Sequence, residues 1–101
     1  PISLAGRQGS LGSYYACSSY TKVNPEFGTL QHLQQLVQQA HVLGMKVIID
    51  WVANHTGHDH EWLTTHPEYY KTNEEKLFFD AHGWADVYDL NYNVPALRQA
   101  M

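Results

Sequence analysis

The chain has 101 residues, a formal charge of −4 and a single cysteine, Cys17. That length is one small domain at most, far short of the ~250 residues of a closed (β/α)8 barrel. The mild acidity argues against a nucleic-acid partner, which asks for a basic face, and one thiol gives no intrachain disulfide framework. The apolar share of 44% and the aromatic share of 13% are those of a globular chain. No apolar run approaches ~20 residues, so nothing reads as a membrane span, and no secretory signal is visible at the start. The first residue is not Met and the final residues read as a helix being entered, so the sequence is expected to be a piece of a longer chain.

Residues 1–28 read as loop. Gly6, Gly9, Gly12 and Gly28, with Pro1, Pro25 and several serines, break any period, and Tyr14, Tyr15 and Tyr20 stand within them. Pro1-Ile2 has the character of a strand's tail. Thr29 is a candidate helix cap. Leu30, Leu33, Leu36, Val37, Ala40 and Leu43 then recur on one helical face, with glutamines on the other, and Gly44 is a stop. The spacing predicts a helix over about 29–43.

Met45 to Val52 is a short apolar, β-branched run without strict alternation. It predicts a strand buried on both faces, as in a parallel sheet covered by helices. Helix, Gly turn and strand make half of a βαβ unit. One such strand has bare edges, so its neighbours must come from more chain or from another copy of this one. His60–Thr65 predicts a helical turn ending before Pro67. Residues 66–92 read as irregular, and Pro95–Met101 as a helix start with Pro first and Asn93 near the cap.

The chemistry-bearing run is Asp50-Trp51-Val52-Ala53-Asn54-His55, at the C-terminal end of the predicted strand. Active-site residues of (β/α)8 barrels occupy that end. Taken by themselves, Asp50 and Asn54 also suit a plainer task, tying down loop backbone. His55, His58 and His60 raise zinc, but H-x-x-H-x-H is a loose spacing with no firm fourth ligand. Cys17 has no base partner for nucleophilic work. Asp59, Glu61, Glu74, Glu75 and Asp80 stand in polar loop sequence and read as solvated surface charges.

Residues 12–55 resemble the α-amylase family, glycoside hydrolase family 13. A Tyr-containing loop leads to Val23-Asn24-Pro25-Glu26-Phe27-Gly28-Thr29, then to Gly44-Met45-Lys46-Val47-Ile48-Ile49-Asp50. Residues 50–55 match the form D-x-V-x-N-H at every fixed position, and residues 86–92 (DVYDLNY) resemble the family's P-D-L-D/N region. The resemblance implies an α/β fold: a segment of a (β/α)8 TIM barrel holding the end of strand 2, a loop, helix 2, strand 3 and an excursion over 56–92, a small counterpart of the family's second domain, all within 1–101.

The resemblance also implies roles. Tyr15 matches the tyrosine that stacks on the sugar beside the scissile bond, and His55 the histidine that hydrogen-bonds that sugar. Asp50 matches an aspartate paired with an arginine of the next strand, a support for the site. Asn54 and Asp89 match positions that ligand calcium (Ca2+) in members that hold it. Trp62, Trp84 and the Tyr69-Tyr70 pair are candidates for aromatic cleft wall. Ser19 departs from the aspartate many relatives carry, which puts anchoring of the loop in question. The family's nucleophilic aspartate, acid glutamate and third aspartate follow strands 4, 5 and 7, so the resemblance implies no catalytic residue in this segment. The expected parent activity is retaining hydrolysis of α-1,4-glucans such as starch and maltooligosaccharides, the isolated chain being inactive. A family transglycosylase, branching enzyme or isomerase, and a non-catalytic carbohydrate-binding domain, are the alternatives.

Overall fold

The structure is a computed structural model and describes residues 13–101. The expected strand tail at Pro1-Ile2 lies outside the described residues. Helix α1 spans Leu30–Val42, as the apolar spacing predicts. Its first turn is closed by a capping box with an imidazole in the usual Glu position. The His32 N–H donates to Thr29 Oγ1 (3.3 Å), and the Thr29 N–H donates to His32 Nδ1 (3.1 Å). Gly28, at φ +123°, is needed here, because a Cβ would stand 2.5 Å from His32 Nδ1. The C-terminus is a Schellman motif. The Gly44 N–H donates to His41 O (3.0 Å), and the Met45 N–H donates to Ala40 O (2.8 Å), with Gly44 at φ +77°.

The strand expected over 45–52 does not form. The segment is extended and unpaired, with Ile48 93% and Ile49 76% exposed. The reason is physical: a parallel strand needs hydrogen-bonded neighbours and a helix layer, and the described residues supply neither. Strand pairing begins later. Strand β1, His55–Gly57, pairs antiparallel with β2, Val87–Asp89, in the register His55↔Asp89, Thr56↔Tyr88, Gly57↔Val87. His55 therefore opens a strand, whereas Asp50 lies in the unpaired segment before it.

Helix α2, Trp62–Thr65, ends before Pro67 as expected, a 3-10 turn covers Pro67–Tyr69, and α3 spans Pro95–Ala100 with Val94, not Asn93, at its cap. The packed core lies in the excursion that reads as irregular in sequence. Tyr69, Tyr70, Leu90 and Leu97 are buried, with Trp62, Leu63, Phe78, Tyr88, Val94 and Met101 packed around them. Tyr70 hydroxyl and Thr56 Oγ1 lie 2.7 Å apart in this core. The Tyr69-Tyr70 pair is thus core, not cleft wall, and Trp62 is turned to the same interior.

The tyrosine loop is fastened to β1. The Gly57 N–H donates to Cys17 O (2.8 Å). The Tyr20 hydroxyl donates to both Val52 O (2.9 Å) and His55 O (3.1 Å), and the Tyr92 hydroxyl donates to Ala53 O. Two phenols therefore clamp the backbone of residues 52–55. Burial holds the Tyr20 phenol far above its ordinary pKa, so the donor proton stays in place. Ser19 anchors the loop in spite of lacking a carboxylate. Its Oγ donates to Glu61 Oε1 (3.0 Å), and Lys22 Nζ holds Glu61 Oε2 (3.0 Å). Glu61 is therefore an anchor and not a free surface charge. Lys22 first, then Ser19, holds its carboxyl below the usual value.

Candidate functional site

The pairing of β1 with β2 places His55 and Asp89 directly opposite each other, so their side chains leave the same face of the two-stranded sheet. Both are buried. A turn brings in Asp80. The Asp89 N–H donates to Phe79 O (2.9 Å), and the Ala81 N–H donates to Asp89 Oδ2 (3.2 Å). Asp80 in turn organises the chain after it: its Oδ2 accepts from the Trp84 N–H (2.8 Å), and Oδ1 lies 3.4 Å from His82 Nδ1. Gly83 takes the left-handed conformation, φ +77°, that lets this turn close.

Ligand-type atoms of His55, Asp80 and Asp89 all lie within 4.8 Å of one another. Asp80 was expected to be a solvated surface charge, but its side chain is 1% exposed. A polar loop sequence carries no sign that a turn folds one carboxylate back on another. Burial pushes the Asp80 carboxyl up, but its bonds with Trp84, Asp89 and His82 outweigh this and hold it below the usual range. Burial first, and the Asp80 carboxylate second, push Asp89 up. Asp89 Oδ1 is buried without a hydrogen-bond partner among the described residues, and the nearest cation, Lys71 Nζ, is 3.8 Å from Oδ2. Two buried carboxyl groups this close cannot both stay ionised without a cation or a shared proton.

The other edge of His55 faces a cavity of about 370 Å³, lined by Tyr15, His55, Trp84 and Asp86 with Ser13, Val52 and Val87. Trp84 meets His55 edge-on, with ring centroids 5.5 Å apart, and its ring stacks on His82 at 4.2 Å. Asn54 Nδ2 lies 3.1 Å from His55 Nδ1. With the amide donating, the neutral imidazole carries its proton on Nε2.

Tyr15 and His55 thus line one cavity, Tyr15 also bordering the larger cleft, and Asp89 stands across the strand pair from His55. Asn54 is exposed, adjacent to the cluster through His55. Asp50 is exposed on a larger cleft of about 910 Å³ that also carries Tyr14, Tyr20, Phe27 and Trp51, and none of the described ion pairs includes it. His58 and His60 do not join His55. His58 stacks on Tyr88 (4.0 Å), and His60 is buried against Tyr20 and Trp62, its Nδ1 accepting from the Trp62 N–H. The loose zinc spacing therefore describes three separate environments.

The described strands form an antiparallel pair and no closed sheet; it is the likeness to solved α-amylases over nearly the whole chain that makes this a segment of a (β/α)8 barrel. The chain belongs to the α-amylase family: the family model described as "Alpha amylase, catalytic domain" matches residues 7–101. Among solved structures, an α-amylase from Lactobacillus plantarum superposes with a TM-score of 0.92 at 42% identity, over 99% of this chain and 24% of that one. A maltogenic α-amylase from Thermotoga neapolitana gives 0.91 at 34% identity, over 100% and 24%. An α-glucosidase of Apis mellifera is 52% identical over 49 residues, 48% of this chain and 9% of its own length. The chain spans about a quarter of the structures it matches and less of the relatives matched by sequence.

Proposed function

We propose that this chain is the part of an α-glucan-active glycoside hydrolase that forms the sugar subsite next to the scissile bond. The observation that carries the reading is the shared cavity of Tyr15 and His55 in a chain of the α-amylase family. An aromatic face packs against the apolar face of a pyranose, while a neutral imidazole exchanges hydrogen bonds with its hydroxyls. Support comes also from a structurally similar Geobacillus thermoleovorans α-amylase, whose structure is described as complexed with acarbose (TM-score 0.64, 35% identity). Retaining hydrolysis needs a nucleophilic and an acid carboxyl group. On this reading both are supplied by barrel strands outside this segment, and Asp50 supports the site by pairing with an arginine of the next strand.

Calcium belongs to the same reading. A hard cation takes several oxygen ligands. The buried, unpartnered Asp89 Oδ1 and the adjacent Asp80 carboxylate fit that demand, with the Asn54 amide oxygen as a further donor. The imidazole of His55 is not an oxygen donor and is left to the sugar. Calcium held there would supply the positive charge that lets both carboxyl groups ionise.

The test is an assay of the full-length protein that carries this chain on maltotetraose, isomaltose and trehalose, with product analysis. Cleavage of maltotetraose is expected. Transfer products in place of hydrolysis favour the transglycosylase alternative, and binding without turnover favours the non-catalytic one.

A further inference from the structure

The excursion brings two further side chains, Trp84 and Asp86, to the cavity of Tyr15 and His55. Asp86 is only 8% exposed, and its carboxylate takes part in none of the described hydrogen bonds or ion pairs. A carboxylate at a cavity wall, largely covered and without a donor among the described residues, can take donors from a ligand that displaces the water it still holds. Trp84 is its opposite in character. It is 49% exposed, yet it is held in place. Its backbone N–H donates to Asp80, its ring stacks on His82, and its edge meets His55. A large aromatic surface kept open to solvent in a fixed pose is a ready platform for an apolar ligand face.

We infer that Trp84 and Asp86 form a specificity-determining wall of this cavity. Asp86 accepts hydrogen bonds from hydroxyl groups of a bound α-glucosyl unit, and Trp84 supplies a second aromatic surface beside Tyr15. The inference rests on the reading of the Tyr15–His55 cavity as a sugar subsite. It adds that the excursion, and not the barrel motif alone, selects the sugar. A carboxylate acceptor favours neutral polyols and cationic sugar mimics, and repels uronic acids and sugar phosphates, because a like charge in a partly desolvated pocket is strongly disfavoured.

The experiment uses the full-length protein with Asp86→Asn, which keeps size and removes the charge, and Trp84→Phe, which keeps a ring. On maltotetraose, Asp86→Asn is expected to raise KM about tenfold while kcat stays within about threefold, the mark of lost binding common to ground and transition state. Trp84→Phe is expected to raise KM by a smaller factor and to remove most of the tryptophan fluorescence change on adding maltotriose. Asp86→Asn is also expected to narrow the preference for maltotetraose over a 6-phosphorylated analogue. An unchanged KM and an unchanged preference in a folded Asp86→Asn protein overturn the inference. So does an equal fluorescence response in Trp84→Phe. Should Asp86→Asn melt well below the parent, the Trp84→Phe titration decides alone. If the unsubstituted protein neither cleaves nor binds maltooligosaccharides, the sugar-subsite reading fails first, and the two failures are thereby told apart.

Discussion

His55 and Asp89 are direct cross-strand partners, so the imidazole assigned to the sugar and the carboxylate assigned to calcium share one face of one small sheet. Asp80 closes the group and holds the Trp84 backbone. Whatever occupies the carboxylate side is therefore mechanically connected to the wall of the cavity through a single turn, residues 80–84.

Calcium is expected to stabilise the full-length protein by mass action, raising Tm by several degrees at a concentration about a hundredfold above Kd, equivalent to about 2.7 kcal/mol. Asp89→Asn should abolish most of that increment. A melting temperature that is the same with calcium and with chelator rules out the calcium assignment.

Tyr20→Phe removes a hydroxyl that serves the carbonyls of both Val52 and His55. A loss of about 1–2 kcal/mol in urea unfolding is expected, together with reduced sugar affinity because His55 loses its backbone clamp. Stability equal to that of the parent would show that water replaces the phenol at no cost.

Acid should weaken the fold through His60. Burial lowers its pKa from the ordinary 6.5 to about 4, so between these values the unfolded chain binds a proton that the folded chain does not. Stability then rises with pH from about 4 to 6.5, by about 3 kcal/mol if this group acts alone. His60→Asn, whose amide oxygen can take over the bond from the Trp62 N–H, should flatten the slope in that window. An unchanged slope in that variant places the acid sensitivity elsewhere.

The 101-residue chain by itself should self-associate. Val42 and Leu43 at the end of α1, and Met45, Ile48, Ile49 and Trp51 after it, are exposed, and an open apolar segment pairs with whatever is available. Sedimentation of a strictly monomeric, cooperatively melting species would contradict this.

Much of the fold was legible in the residues. Thr29 and Gly44 mark the ends of α1 because capping and the left-handed turn are local chemistry, and Pro67 and Pro95 punctuate α2 and α3 for the same reason. The run 45–52 is unpaired in this chain because apolar character reports a need for partners, and the neighbours a parallel strand requires are not among the described residues. At the site, Tyr15 and His55 line one cavity, whereas the place of Asp80 depends on how the turn at Gly83 folds back on β2, which has no periodic or motif signal. The anchoring role of Ser19 and Glu61 was hidden for the same reason, their positions being 42 residues apart.

If the cavity of Tyr15 and His55 holds the sugar beside the bond that is cut, kcat/KM on maltotetraose must respond to His55→Ala in the full-length protein, with folding checked by thermal melting. A loss of roughly ten- to a hundredfold with the fold retained is expected, the cost of leaving a sugar hydroxyl unpaired. A folded His55→Ala protein as active as its parent would contradict that placement of the sugar.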